Sequence, residues 1–118
     1  MSSLPSFQQR EEQVNITGEI KYFLGKGEYA HLKFSESATS FSIDLVMVPS
    51  VHRNKGIGAL LINRILLLAD CMDKDIYVSA RPIGNTSEER LYRLVKYYNR
   101  FGFEAIDQGL TAVFMVRK

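Results

Sequence analysis

The sequence predicts an α/β domain, a mixed β-sheet with a central βαβ unit and helices packed on the sheet. The first observation is the succession of an apolar strand at Phe41–Val48, a helix at Gly56–Ala69 and a short strand at Asp75–Ala80. Such a unit makes its two strands parallel and its crossover right-handed. The second observation is that strand and turn patterns flank the unit on both sides. They give the order β-β-β-α-β-α-β-β within one domain of 118 residues.

Three strands are predicted before the first helix. Asn15–Leu24 and Tyr29–Phe34 are joined by the turn Gly25-Lys26-Gly27, whose glycines favour a hairpin. The third strand is almost wholly apolar from Ile43 to Val48, which predicts burial on both of its faces. Residues 1–13 are polar and mixed in charge, so we expect a loosely ordered tail there.

A second helix and a hairpin are predicted to complete the domain. Thr86-Ser87-Glu88-Glu89 has the spacing of a capping box, so a helix begins there with Thr86 as its cap. Gly102 is predicted to end this helix, and the strands Phe103–Asp107 and Thr111–Val116 follow. The helix carries one apolar stripe at helical spacing, formed by Leu91, Leu94, Val95, Tyr98 and Phe101.

The loop between the third strand and the first helix is rich in glycine and positive charge. Its residues are Arg53, Asn54, Lys55, Gly56, Ile57, Gly58 and Ala59. The unpaired amides of a helix start and the positive end of the helix dipole attract anions, and glycine lets a ligand approach the bare backbone. The loop is therefore a candidate site for a phosphate or a pyrophosphate.

The spacing of this loop excludes two familiar phosphate loops. The dinucleotide fingerprint needs a third glycine three residues after Gly58, where the chain has Leu61. The P-loop needs a Gly-Lys-Ser/Thr sequence, and the helix opens instead with Gly58-Ala59-Leu60. A generic strand–turn–helix corner is the alternative to a ligand-binding loop.

Two motifs together resemble the GNAT superfamily of acyltransferases. Arg53, Gly56 and Gly58 match its acetyl-coenzyme A loop, Arg/Gln-x-x-Gly-x-Gly/Ala, and Tyr98 precedes Gly102-Phe103 at a spacing common in the family. The resemblance implies a GNAT-like sheet with acetyl-coenzyme A (acetyl-CoA) as cosubstrate. It also implies transfer of the acetyl group to a primary amine by direct attack, without a metal.

The resemblance further implies roles for particular residues. The pantetheine arm of the cofactor would pair with the backbone of Val46, Met47 and Val48, and its pyrophosphate would lie on the amides of Arg53–Ala59. Tyr98 would protonate the leaving thiolate; the alternative is a core aromatic whose hydroxyl reaches water. Asn85 is a further candidate for contact with the cofactor.

Asp44 is the one charged residue of the apolar third strand. Alternation along the strand places it on the face of Val46 and Val48, opposite that of Ile43. A buried carboxylate is costly unless it is used or paired, so Asp44 is a candidate general base or anchor for the acceptor amine. The alternative is an aspartate that neighbouring amides satisfy.

The family usually carries two helices between its first strands, and the run Asn15–Val48 has no room for them. The cleft beside Asp44 and Tyr98 is therefore expected to be open on one flank. A protein acceptor could complete such a site with its own surface, or a second copy of the chain could supply the wall in a homodimer. Two other functions stay open: a non-catalytic module that binds acyl-CoA or acts as an adaptor, and transfer of a longer acyl chain.

Composition limits the class of protein. Hydrophobic residues make up 46% and charged residues 24% of the chain, as in an ordinary soluble domain. A net charge of +2 is too small to indicate nucleic acid or a membrane as partner. The single Cys71 cannot form an internal disulfide, and we recognise no secretory signal or membrane span, so we expect a cytoplasmic protein.

Overall fold

The computed structural model describes residues 16–82 and 87–118, and within them it confirms the predicted α/β fold class and element order. The predicted tail, Thr86 and Asn85 lie outside the described residues. The elements are the strands β1 (Ile16–Gly25), β2 (Glu28–Glu36), β3 (Ser40–Met47), β4 (Asp75–Ala80), β5 (Glu104–Gln108) and β6 (Val113–Arg117), and the helices α1 (Ile57–Met72) and α2 (Glu88–Asn99).

The six strands form one mixed sheet in the order β1-β2-β3-β4-β6-β5. Only β3 and β4 pair in parallel, and the other neighbours are antiparallel. The connections β3-α1-β4 and β4-α2-β5 step across the sheet in the same direction. Because such crossovers are right-handed, both helices lie on the same face of the sheet.

The opposite face of the sheet, which we call the open face, has no helix of the described residues on it. Burial along β4 shows the difference, since Ile76, Val78 and Ala80 are buried under the helices while Tyr77 and Ser79 are exposed. Tight connections join the first three strands, through Lys26-Gly27 and then through residues 37–39. As predicted, no helix lies between β1 and β2 or between β2 and β3, both of which fall within the described residues.

Ser87 is the N-cap of helix α2, and its Oγ accepts a hydrogen bond from the Arg90 amide at 3.1 Å. The cap is thus one residue later than the Thr86 that the sequence pattern predicted, because either hydroxyl residue can cap and the side chain of Ser87 makes the bond. The predicted apolar stripe is confirmed. Leu91 and Tyr98 are buried, and Leu94, Val95 and Phe101 pack against the core.

A glycine on β1 makes room for an aromatic side chain of the core. Gly18 pairs with Phe34 across the β1–β2 ladder, and a β-carbon built on Gly18 would overlap the Phe34 ring. The ring also packs edge to face on Phe41, with centroids 5.5 Å apart. Phe34 therefore has little freedom to move away.

We expect Gly18→Ala to lower the free energy of unfolding by about 1–3 kcal/mol, because it overpacks this contact. Thr17→Ala, at the exposed neighbouring position, is the matched control and should change stability by less than about 0.5 kcal/mol. Chemical denaturation of both variants measures the difference. Equal stabilities would show that the Phe34 ring moves aside at no cost.

Candidate active site

The site begins where the parallel strands β3 and β4 separate. Their ladder runs from Ser40–Asp75 to Ile43–Val78 and stops there. β3 nevertheless continues against β2 as far as Met47, and β4 continues against β6 as far as Ala80. The two strands therefore diverge, and the edge of β3 beyond Ile43 presents backbone groups that have no ladder partner in β4.

A cleft of about 950 Å³ occupies this gap, and side chains from both faces of the sheet line it. On the helix side its walls come from both helices and include Ile62, Leu94, Tyr97 and Tyr98. On the open face its walls are polar and aromatic and include Asp44, Tyr77, Ser79 and Phe114. A ligand could therefore enter from the helix side while a second reactant approaches from the open face.

Asp44 lies in a β-bulge, which corrects two predictions. Lys33 pairs with Leu45 and Phe34 with Ile43, so Asp44 is the extra residue of β3. After the bulge Val46 packs against the core on the helix side, whereas Asp44 is exposed, so the predicted shared face is wrong. Burial of the strand on both faces is also wrong. Only Phe41 and Ile43 of β3 are buried, because the cleft and the open face expose the rest.

Asp44 is held by one short hydrogen bond, which the Ser35 hydroxyl donates to its Oδ2 at 2.6 Å. Because Asp44 is exposed, its carboxylate carries no burial penalty, which differs from the burial expected from the sequence. Its position at the open-face mouth of the cleft makes it accessible to a second reactant.

The glycine loop follows a short 3-10 turn at Ser50–His52. Gly56 has φ +79° and caps α1 without any side-chain hydrogen bond. The first helical bond runs from the Leu60 amide to the Gly56 carbonyl at 3.0 Å, so the preceding amides of Ile57, Gly58 and Ala59 have no acceptor within the helix. Arg53 braces the loop, since its Nε donates to the Val48 carbonyl at 3.0 Å.

Gly58 lies where β3, α1 and α2 meet. A β-carbon on Gly58 would stand 3.4 Å from the Tyr97 hydroxyl oxygen and 4.0 Å from a methyl group of Val48. The absence of a side chain at Gly58 therefore leaves space between the start of α1 and the cleft.

Two adjacent tyrosines of α2 line the cleft. Tyr98 is only 8% exposed and packs edge to face on Phe103 and Tyr97, and its burial raises the pKa of the phenol to about 12. Burial also raises the pKa of the half-buried Tyr97, and nearby Arg100 opposes that shift. Both hydroxyls are therefore protonated near neutral pH and can donate hydrogen bonds.

Tyr97 was not among the site residues predicted from the sequence, although it lies in the wall of the cleft. Tyr98 is buried against the core, whereas the Tyr97 hydroxyl lies close to Gly58 at the start of α1. The open-face aromatics Tyr77 and Phe114 were also missed. Their signal was present in the alternation of Tyr77 and Ser79 with the buried Ile76 and Val78.

Other polar clusters lie outside the cleft. His31 bonds to Glu19, and this bond lowers the pKa of the Glu19 carboxyl, while His52 lies 3.4 Å from Glu28. Residues 16–82 and 87–118 contain no group of three or more His, Cys, Asp or Glu side chains arranged for a metal ion. Neither described helix is long and apolar enough to cross a bilayer.

No protein-family model and no curated protein sequence matches the chain. Solved structures do match it. An acyl-CoA N-acyltransferase from Pseudomonas aeruginosa aligns with a TM-score of 0.70 and 24% identity over 89% of this chain and 70% of its own. An aminoglycoside 6'-N-acetyltransferase complexed with coenzyme A aligns with a TM-score of 0.61 and 13% identity over 93% and 77%. The chain has the GNAT fold.

A shorter protein also aligns with the chain. The anti-CRISPR protein AcrVA5 aligns with a TM-score of 0.64 and 22% identity, over 86% of this chain and 99% of its own. Of the residues predicted at the site, Asp44, Val46 and Tyr98 line the cleft, and Gly58 of the glycine loop lies next to Tyr97 in its wall.

Proposed function

We propose that the protein is an acetyl-CoA-dependent N-acetyltransferase whose acceptor is an amine on another protein. One observation carries the proposal: the parallel strands β3 and β4 separate directly beside a helix start that has bare amides. The likeness to acyltransferases supports acyl transfer from coenzyme A in general terms. That the acceptor is a protein amine and that the transferred group is acetyl are both parts of our proposal.

The residues present fit acetyl-CoA. The unpaired edge of β3 at Val46, Met47 and Val48 can hydrogen bond to the two amides of a pantetheine arm, as an added strand would. The amides of residues 57–59 can hold the pyrophosphate, with positive charge from Arg53 and Lys55 beside them.

Acetyl-CoA supplies an activated thioester carbonyl. The cationic acceptor first loses one proton, which exposes the lone pair of its nitrogen. The nitrogen then forms the new C–N bond as the C–S bond breaks, and it loses a second proton. One of the two protons ends on the thiol and the other leaves to water. In our proposal the protonated Tyr98 hydroxyl donates to the departing sulfur. Asp44, exposed at the open-face mouth, attracts the cationic amine and accepts its proton directly or through water.

The open face favours a large acceptor. It presents exposed aromatic and aliphatic side chains beside the cleft, at Tyr77, Ile106 and Phe114. A small amine would contact few of these groups and would be poorly oriented. A protein can cover the whole surface, and exposed apolar patches of this kind often mark protein contacts. The alternative is that a second copy of the chain, in a homodimer, covers the open side of the cleft.

Acceptor profiling with labelled acetyl-CoA tests the proposal, with light scattering to record the mass of the enzyme. We expect labelled lysine side chains or N-termini in proteins, and weak turnover of free small amines. A monomer that acetylates a free small amine at about 10⁴ M⁻¹s⁻¹ or better would contradict the protein acceptor. Binding of acetyl-CoA without turnover on any acceptor would indicate a non-catalytic acyl-CoA-binding or adaptor module instead.

A further inference from the structure

A second cavity of about 340 Å³ adjoins the cleft, and we call it the arginine pocket. It is lined by Pro82, Arg90, Arg93, Leu94 and Tyr97. Pro82, Leu94 and Tyr97 also line the cleft, so the two cavities share a wall. The Tyr97 hydroxyl in that wall reaches the start of α1 beside Gly58. The pocket thus lies next to the place proposed for the cofactor pyrophosphate.

The arginines belong to one stripe of α2. Arg90, Arg93, Tyr97 and Arg100 follow one another at intervals of three, four and three residues, which places them on one side of the helix. Arg100 lies over the Tyr97 ring at 5.3 Å. The stripe therefore gathers three positive charges around the tyrosine that separates the pocket from the cleft.

The described residues balance little of this charge. Arg93 forms an ion pair with Glu89 at 3.1 Å, but both side chains are mostly exposed, at 69% and 76%. Exposed pairs of this kind contribute little, so an incoming anion can replace Glu89 at small cost. Among the described residues no carboxylate lies within ion-pair distance of Arg90.

We propose that the arginine pocket binds the 3'-phosphate on the adenosine of coenzyme A. This inference rests on the proposed function and extends it from the reacting end of the cofactor to its nucleotide end. The adenosine is attached to the pyrophosphate, so it must lie near the glycine loop, and the pocket is the neighbouring cavity lined by cations. A phosphomonoester carries about −1.5 to −2 charges near pH 7, and arginine matches its geometry with paired hydrogen bonds.

The test is calorimetric binding of coenzyme A and of dephospho-coenzyme A, which lacks only the 3'-phosphate. The wild type should bind coenzyme A about tenfold more tightly than dephospho-coenzyme A. The double variant Arg90→Ala/Arg93→Ala should bind the two compounds equally, within about twofold, at the affinity of the wild type for dephospho-coenzyme A. Thermal unfolding of the double variant checks that this exposed change leaves the fold intact.

Lys96→Ala is the matched control, because it removes one positive charge from the same helix outside both cavities, beside the Tyr92 ring. It should leave the preference for coenzyme A unchanged. A double variant that keeps the wild-type preference overturns this inference and assigns the arginines to some other anion, while the proposed function stands. If the wild type binds neither coenzyme A nor dephospho-coenzyme A, both this inference and the proposed function are wrong.

Discussion

Replacement of Tyr98 by phenylalanine is expected to lower kcat by about a hundredfold and to change the KM for acetyl-CoA by less than about threefold. The hydroxyl is the group we assign to the departing sulfur, where negative charge develops only as the C–S bond breaks. Its loss therefore affects the transition state more than the ground state. The ring is retained, so the packing on Tyr97 and Phe103 is preserved.

The pH profile is a second readout for Tyr98. Because burial raises the pKa of the phenol to about 12, the acid stays protonated, and the rate should not decline on the alkaline side up to about pH 10. Tyr92→Phe, on the exposed side of α2, is the control and should keep wild-type kcat. Wild-type turnover in Tyr98→Phe would make Tyr98 a packing residue. If Tyr97→Phe lost turnover instead, the acid would be Tyr97.

Gly58→Val is expected to weaken binding of acetyl-CoA by more than about a hundredfold. The added β-carbon would stand 3.4 Å from the Tyr97 hydroxyl and 4.0 Å from Val48, and its two methyl groups would fill the space between the helix start and the cleft. The backbone at Gly58 is helical rather than left-handed. Valine therefore fits the helix with only a small propensity difference, and the effect falls on binding rather than on folding.

Gly56→Val should act differently, although both glycines belong to the loop motif. A β-carbon at Gly56 meets nothing within 4 Å, but the residue has φ +79°. A branched residue in that conformation costs about 1–2 kcal/mol, so Gly56→Val should lower stability as well as binding. Lys55→Ala, which removes an exposed side chain and no amide, should weaken binding only modestly. Normal cofactor affinity in both glycine variants would exclude the loop as the pyrophosphate site.

Much of the fold could be predicted because its signals are local. The strand Asp75–Ala80 has the predicted bounds, since alternation and flanking polar residues define it within six positions. Helix α1 runs three residues beyond the predicted end, to Met72, where Asp73 adopts a left-handed conformation and stops it. The glycine loop was recognisable because amides and glycines at a helix start need no distant partner to bind an anion.

The parts of the site that could not be predicted depend on pairing between strands and helices. The bulge at Asp44 arises from the register of β3 against β2, and it reverses which side chains face the core. The position of Tyr97 depends on how α2 packs beside α1. Neither relation can be read from the local sequence of β3 or α2. Alternation therefore assigned Asp44 to the wrong face, and the stripe on α2 did not identify Tyr97 as a wall of the cleft.

The most direct test of the cleft as the acetyl-CoA site is the change in backbone amide NMR shifts when acetyl-CoA is added to the 13.5 kDa protein. We predict the largest changes at Val46–Val48 and Arg53–Ala59, because those amides would hydrogen bond to the pantetheine arm and the pyrophosphate. Largest changes elsewhere, for example on the outer side of α1 or along β1, would contradict the account, and so would a spectrum that does not change.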